Sequence, residues 1–170
     1  YDLIYFVRKE NYKRLDRFIK FISTDYAKSL NILAVSQDRN LIKKLKSNYS
    51  FIKFYLPKDD SNLIHLIDNS KCLFYTSDYE GFGLPIYECL ARKVPFIAYD
   101  LSALVDFENT ELKDLIIEDD NEVIKKFKKI LSDDLYRNKI ANIGYNIVQK
   151  YKMKYANEKF LECLNLHNES

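Results

Sequence analysis

The sequence has little glycine or proline and no tryptophan. Its 170 residues include three glycines and three prolines, whereas an average chain of this length has roughly a dozen glycines. With so few chain-breaking residues, the sequence marks no flexible linker and no low-complexity segment. It also has no internal repeat. We therefore expect residues 1–170 to form one folded domain.

Long hydrophobic runs, excess charge and a cysteine pattern are absent too. No apolar run approaches the roughly 18 residues of a membrane span, and the N-terminal segment predicts a strand, not a signal peptide. A net charge of +2 is too even to indicate nucleic-acid binding. Cys72, Cys89 and Cys163 have neither disulfide nor metal-binding spacing. These absences predict a cytoplasmic protein with reduced thiols and no nucleic-acid partner.

Short apolar segments alternate with helical patterns along the chain, and the first segment starts almost at Tyr1. We therefore expect the sequence to be a piece of a longer protein. The predicted strands span residues 2–7, 31–36, 51–55, 71–76, 94–100 and 114–118. Helical patterns lie between them, and a further helix capped by Asp120 or Asn121 follows, with others over 134–150 and 154–166. This order predicts an α/β fold, a Rossmann-like, doubly wound parallel sheet with helices on both faces.

Two of the three glycines fall within residues 79–88, YEGFGLPIYE. This segment follows a predicted buried strand, and Pro85 suits the first turn of a helix because it lacks an N–H. Free amides at a helix N-terminus and the positive end of its dipole attract phosphate. Ligands of doubly wound sheets bind beyond the carboxyl ends of the strands. The segment therefore predicts an anion-binding loop.

Glu80 and Glu88 flank this loop, and carboxylates accept hydrogen bonds from vicinal hydroxyls such as those of sugars. The structural alternative is that the glycines make a tight turn while Glu88 gains about 0.3–1 kcal/mol from the helix dipole. That alternative would be preferred for an isolated E-x7-E pair. The sequence GFGLP between the two acids, directly after a buried strand, favours ligand binding instead.

The segment SDYEGFGLPIYECLARKVPFIAYD resembles the nucleotide-sugar signature of retaining GT-B glycosyltransferases. In glycosyltransferase family 4 this pattern is S-x-x-E-G-F-G-L-P-x-x-E-A-M-A-x-G-x-P-V-I-A. Upstream, FVRKENYKRLDRF places Arg8 and Lys13 at the spacing of the family's G-R-x4-K element. The order of elements is similar to the C-terminal, donor-binding half of the GT-B fold. The acceptor-binding N-terminal domain is expected to be absent from this sequence.

The resemblance implies a role for each matched residue. Arg8 and Lys13 would hold the donor diphosphate, Glu80 the sugar hydroxyls and Glu88 the ribose hydroxyls. Pre-placed cations would do the work of a divalent ion, and the sequence has no D-x-D pair, so no metal is expected.

Backbone contacts to the sugar and phosphate are implied for Gly81, Phe82, Gly83 and Leu84. The nucleobase is expected near Leu56 and Pro57. The sequence departs from the family pattern at Val7, which replaces a glycine, at Lys93, which occupies a left-handed helix-ending position, and at Asp106, which replaces a glutamate.

The implied function is transfer of a sugar from UDP- or GDP-sugar to a glycan, lipid-linked or small-molecule acceptor, with retention of configuration. We expect the isolated domain to bind the donor without turnover. One alternative is an inactive GT-B half that binds nucleotide sugar or a partner subunit. A third alternative is a regulatory doubly wound domain, but the sequence lacks the acidic cluster at a strand end that accepting a phosphoryl group requires. Glycoside hydrolysis is disfavoured because it needs two carboxylates that face each other across one bond, whereas Glu80 and Glu88 flank a loop. Contact with the inner face of the membrane through Lys125, Lys126, Lys128 and Lys129 is a further alternative.

Overall fold

Six strands form one fully parallel sheet in a computed structural model that describes residues 1–151. The predicted helix over 154–166 and Cys163 lie outside the described residues. All six predicted strands are confirmed, with bounds shorter by one or two residues at most ends. They are β1 Leu3–Phe6, β2 Ile32–Val35, β3 Lys53–Tyr55, β4 Leu73–Tyr75, β5 Phe96–Tyr99 and β6 Ile116–Ile117.

Seven α-helices connect and follow the strands in the described part of the chain. They are α1 Leu15–Ile22, α2 Asp25–Lys28, α3 Arg39–Asn48, α4 Asp60–Asp68, α5 Leu84–Ala91, α6 Val123–Ser132 and α7 Asp134–Val148. The short helix α2 was not predicted from the sequence, because four residues are too few to show helical periodicity. None of these helices, within residues 1–151, is long and apolar enough to cross a membrane.

The strand order is β3-β2-β1-β4-β5-β6. Strands β1 and β4 are neighbours in the sheet, with Ile4 opposite Leu73 and Tyr5 opposite Phe74. The chain winds outward in one direction from β1 and in the other from β4, so the order reverses between these two strands. This is the Rossmann-like arrangement that the sequence predicts, and it brings the loops after β1 and β4 together at one edge of the sheet.

A cluster of aromatic side chains fixes two helices against the centre of the sheet. Phe18 of α1 stacks on Tyr5 of β1 at 3.8 Å between ring centroids. Phe74 of β4 contacts Phe21 of α1 at 5.3 Å and Phe127 of α6 at 5.2 Å, both edge to face. All five rings are at most 4% exposed. The strands on either side of the order reversal are therefore packed against α1 and α6.

Aspartates start several helices by accepting hydrogen bonds from free backbone amides. Asp59 accepts from the amide of Asn62 at the start of α4, and Asp133 accepts from Tyr136 at the start of α7. The prediction that Asp120 or Asn121 caps the helix over α6 is wrong. A short 3-10 turn precedes α6, and Asp119 caps that turn.

Two positions explain how α5 is fitted into the fold. Lys93, just beyond its C-terminus, has a φ of 58°, which confirms the left-handed conformation predicted from the sequence. Gly144 on α7 lies against Leu90 on α5, where a Cβ on Gly144 would meet a Leu90 methyl carbon at 2.4 Å. The third glycine of the chain therefore serves close packing of α7 on the helix that follows the glycine-containing loop.

Candidate functional site

A cavity of about 490 Å³ opens at the edge of the sheet where the order of strands reverses. It lies between the loops that follow β1 and β4 and the N-terminus of α5. Seven of the residues predicted as a binding site line it together: Arg8, Lys13, Glu80, Phe82, Gly83, Leu84 and Glu88. Leu56 and Pro57, after β3, are half-buried and do not line this cavity. Their predicted role with the nucleobase stays a prediction.

The N-terminus of α5 points into this edge of the sheet. Gly83 precedes the helix with a φ of 77°, a left-handed conformation that a residue with a side chain adopts only at a cost. Pro85 lies in the first turn, as the sequence predicts. Gly81 is different, since a Cβ there would meet no protein atom within 4 Å and its φ is ordinary. The fold therefore requires glycine at Gly83 but not at Gly81, whose backbone faces open space.

Lys13 and Glu80 form an ion pair across the cavity wall. Their side chains are 19% and 12% exposed, so the pair is largely shielded from water. Partial burial acts to raise the pKa of Glu80, but the Lys13 ammonium and the nearby Tyr75 and Ser77 hydroxyls outweigh it and hold that pKa below its ordinary value. Glu80 is therefore ionised at neutral pH.

Main-chain hydrogen bonds fix the position of Lys13 relative to the loop after β4. The Thr76 hydroxyl donates to the Lys13 carbonyl oxygen at 2.7 Å. The backbone amide of Asp78 donates to the carbonyl oxygen of Tyr12 at 2.8 Å. The two loops thus form one unit, in which the Lys13 ammonium is aimed at the cavity from a fixed backbone.

Arg14 and Arg17 belong to the same basic segment but have a different role. Both form salt bridges with the Asp78 carboxylate, at 2.7 Å and 2.5 Å. Arg17 also donates to the Thr76 carbonyl oxygen at 3.0 Å and stacks on the Tyr99 ring at 3.8 Å. In the sequence, these arginines fall in the same basic segment as Lys13, FVRKENYKRLDRF. Asp78, two residues before Glu80, was the available signal that part of this charge is paired within the fold.

Arg8 and Glu88 lie at the rim of the cavity and are both exposed. Arg8 makes no salt bridge with any residue in the range 1–151, so its guanidinium is available to an anion. Glu88 lies one turn inside α5. Partial burial raises the pKa of Glu88 above its ordinary value, and the negative charge of Asp60 adds to the shift. A positive and a negative group thus both line the opening of the cavity.

Phe82 is held in the loop by aromatic neighbours. Its ring stacks on Tyr87 of α5 at 4.2 Å and meets Tyr151 edge to face at 5.2 Å. Both tyrosine hydroxyls donate to Asp106, and the Lys150 ammonium lies 2.9 Å from the same carboxylate. Asp106, which replaces the glutamate of the family pattern, therefore holds the two tyrosines that pack against Phe82.

The lysines of α6 are mostly occupied within the chain. Lys126 donates to the carbonyl oxygen of Asp114 at 2.9 Å, and Lys129 lies 3.3 Å from the Asp114 carboxylate. Lys128 lies over the ring of Tyr26 at 5.5 Å. A membrane contact by this face stays a prediction. Within residues 1–151 there is no cluster of three or more potential metal-ligating side chains; metal independence also remains a prediction.

Comparison with known proteins identifies a relationship for most of the chain. A sequence from Staphylococcus aureus, a poly(ribitol-phosphate) alpha-N-acetylglucosaminyltransferase, is 26% identical over 138 residues, which are 79% of this chain and 26% of the relative. The crystal structure of an S. aureus TarM variant with fondaparinux, alpha-GlcNAc-glycerol and UDP has a TM-score of 0.70 and 21% identity, over 95% of this chain and 35% of that one.

A third similarity is to a single domain. The C-terminal domain of LpcC, a glycosyl transferase group 1 family protein from Francisella tularensis, gives a TM-score of 0.67 at 24% identity, over 89% of this chain and 87% of that chain. This chain thus spans about a quarter of the S. aureus enzyme but nearly the whole of an isolated C-terminal domain. The family described as Glycosyl transferases group 1 matches residues 1–147. The chain belongs to this family of glycosyltransferases.

Proposed function

We propose that this chain binds the nucleoside diphosphate sugar donor of a retaining glycosyltransferase. The observation that carries the proposal is the meeting of Arg8, Lys13, Glu80 and Glu88 with the N-terminus of α5 around one cavity. Its volume of about 490 Å³ suits a ligand of nucleotide-sugar size. The cavity also lies where a doubly wound sheet binds its ligand.

Each group around the cavity suits one part of such a donor. The Arg8 guanidinium can make a forked contact to a phosphate, the Lys13 ammonium supplies a point charge, and the amides of α5 add the helix dipole. Glu80 and Glu88 are acceptors for hydroxyl groups on the sugar and the ribose. The cavity thus offers carboxylates as acceptors for hydroxyl groups and positive groups for the diphosphate.

The proposed reaction needs this distribution of charge. The bond between the anomeric carbon and the diphosphate oxygen breaks, and its electron pair stays on the diphosphate. The acceptor hydroxyl oxygen bonds to the same carbon from the same side, and its proton passes to the leaving phosphate. Arg8, Lys13 and the α5 amides would stabilise the negative charge as it develops, since they are oriented before the reaction begins.

The acceptor and the donor nucleotide are further parts of the proposal. The acceptor would bind through a second domain outside this sequence. UDP is the first nucleotide to test, because the TarM variant was crystallised with UDP. The S. aureus relative is an N-acetylglucosaminyltransferase, so UDP-N-acetylglucosamine is the first donor to test, followed by GDP-sugars.

Thermal unfolding with a panel of nucleotide sugars tests the proposal. A bound donor raises the melting temperature by mass action, and we expect the shift to persist in EDTA because Arg8 and Lys13 replace a metal. The variant Glu88→Ala should keep its fold and lose most of the shift. If a donor raises the melting temperature but the chain supports no sugar transfer when joined to its acceptor domain, the chain is the GT-B half that only binds the nucleotide sugar. No shift with any UDP- or GDP-sugar would contradict the proposal.

A further inference from the structure

The Tyr75 hydroxyl is buried beneath the cavity without a hydrogen-bond partner among residues 1–151. Tyr75 is 5% exposed, ends β4 and lines the cavity. Tyr5, on the neighbouring strand, shows the usual arrangement, since its hydroxyl pairs with the Thr76 hydroxyl at 3.0 Å. A buried polar group without a partner destabilises a fold by about 1–3 kcal/mol, so such groups are rare and need an explanation.

The Glu80 carboxylate and the Ser77 hydroxyl are the polar groups near the Tyr75 hydroxyl. Tyr75, Ser77 and Glu80 line the same cavity, and the Glu80 carboxylate adds to the rise in the pKa of Tyr75 that burial causes. No hydrogen bond of good geometry joins Tyr75 to Glu80, whose carboxylate forms an ion pair with the Lys13 ammonium. The Lys13 ammonium lies 6.0 Å from the centre of the Tyr75 ring. The Glu80 carboxylate therefore has three potential donors, Lys13, Tyr75 and Ser77, of which Lys13 forms the ion pair.

Binding of a diphosphate would change this balance. Lys13 is one of the cations proposed to hold the diphosphate, and an ammonium that turns toward a phosphate weakens its bond to Glu80. The Glu80 side chain is only 12% exposed, so water cannot fully replace the lost partner. Removal of one partner from a buried ion pair is strongly unfavourable, because the remaining charge is left uncompensated.

We infer that Tyr75 is a positioning residue that receives Glu80 when Lys13 turns to the donor diphosphate. The Tyr75 hydroxyl then donates to one oxygen of the carboxylate and holds the other toward a hydroxyl of the donor sugar. The hydroxyl has no solvent contact of its own, so it acts on the donor through Glu80 and does not touch it. The inference rests on the proposed function and explains why a hydroxyl is kept unpaired in the free protein.

The substitution Tyr75→Phe separates this role from simple packing, because two measured effects have opposite signs. In the free 170-residue chain, removal of an unpaired buried hydroxyl should leave the melting temperature unchanged or raise it. Affinity for UDP, measured by calorimetry, should fall about tenfold, the usual effect of losing a hydrogen bond to a charged group. Uridine, which has no diphosphate to draw Lys13 away, should bind both forms equally.

Tyr136→Phe is the matched control, since Tyr136 on α7 has the other buried hydroxyl without a partner in residues 1–151 and does not line the cavity. It should not change the affinity for UDP. In a Glu80→Gln background, Tyr75→Phe should lower the affinity for UDP only about threefold or less, because the hydroxyl would then donate to a neutral amide and not to a carboxylate.

The outcomes separate this inference from the proposed function. If the wild-type chain does not bind UDP or any nucleotide sugar, both are overturned. If the wild type binds UDP and Tyr75→Phe binds it with equal affinity, only the inference is overturned. The same holds if Tyr75→Phe lowers the affinity for UDP by the same factor in the wild-type and Glu80→Gln backgrounds. A Tyr75→Phe chain that fails to fold or melts at a lower temperature would show that the hydroxyl is already paired in the free protein, and would also overturn it.

Discussion

The Lys13 ammonium and the Glu80 carboxylate form a shielded ion pair that joins the loops after β1 and β4. Lys13 and Glu80 are 67 residues apart in the sequence, whereas β1 and β4, the strands before their loops, are adjacent in the sheet. The pair therefore contributes to the fold in the free chain and supplies two groups for a donor. Its removal should affect both stability and binding.

Lys13→Met should lower the free energy of unfolding by roughly 1–3 kcal/mol, because it leaves the Glu80 carboxylate largely buried without its cation. Urea denaturation measures this loss. Lys20→Met is the control, since Lys20 and Asp120 form a pair at 2.7 Å whose side chains are 68% and 39% exposed. Such a pair contributes about 0–1 kcal/mol. Equal losses in the two variants would show that the Lys13–Glu80 pair has no special shielding.

Gly81→Ala and Gly83→Ala should have different effects. A Cβ on Gly83 is strained by the φ of 77°, so we expect Gly83→Ala to destabilise the fold by about 1–2 kcal/mol. A Cβ on Gly81 meets no protein atom, so Gly81→Ala should be as stable as the wild type. If the donor contacts the backbone there, Gly81→Ala should nonetheless lose affinity for UDP-sugar. An unchanged dissociation constant would show that no ligand approaches Gly81 closely.

Donor affinity should fall as the pH is lowered through the raised pKa of Glu88. Its carboxylate accepts hydroxyl hydrogen bonds in the ionised form, and the raised pKa means that protonation begins at a higher pH than for a glutamate of ordinary pKa 4.5. Glu80, whose pKa is lowered, stays ionised through that range. Calorimetric titration with a UDP-sugar, which has no terminal phosphate to protonate, measures the effect.

The matched variant for this titration is Glu88→Gln. It should bind the UDP-sugar more weakly than wild type at neutral pH and show little change in affinity as the pH falls. A Glu88→Gln chain with the same pH profile as wild type would assign the titration to another group.

Gly144→Ala should destabilise the contact between α5 and α7. Alanine gains about 1 kcal/mol over glycine in a helix interior, but overpacking a core costs about 1–3 kcal/mol. The added Cβ would lie 2.4 Å from a methyl carbon of the fully buried Leu90, so we expect a net loss. The midpoint of urea denaturation measures it. Leu90→Ala removes the methyl carbon that the added Cβ would meet, so Gly144→Ala should destabilise that variant less than the wild type. The double variant should therefore be more stable than the sum of the single effects predicts.

The sheet was predictable from the sequence because all its strands except the edge strand β3 are buried on both faces. Short apolar runs such as LIYF and ILAV stand out between charged helices, and parallel connections through helices follow from their order. The 3-10 turn before α6 was not predictable in this way, since Asp119, Asp120 and Asn121 are all good capping residues and adjacent. Tertiary contacts determine which of them begins the turn.

The candidate site was predictable as a set of residues but not as a set of contacts. Glycines, a proline and two acids at fixed spacing marked the loop, and the basic segment after β1 marked its partner. The sequence could not show that Lys13 pairs with Glu80 while Arg14 and Arg17 pair with Asp78, because all three cations have the same character along the chain. It also gave no indication that the Tyr75 hydroxyl lacks a partner, since that depends on side-chain geometry.

The most direct test of nucleotide-sugar binding in this cavity is a calorimetric titration of the 170-residue chain with UDP-N-acetylglucosamine, then other UDP- and GDP-sugars, in EDTA. We expect saturable one-to-one binding of at least one donor, strongly weakened in Lys13→Met and unchanged in Lys20→Met. Absence of binding by every donor, or equal binding by Lys13→Met and wild type, would contradict the claim that this cavity holds a nucleotide sugar through its diphosphate.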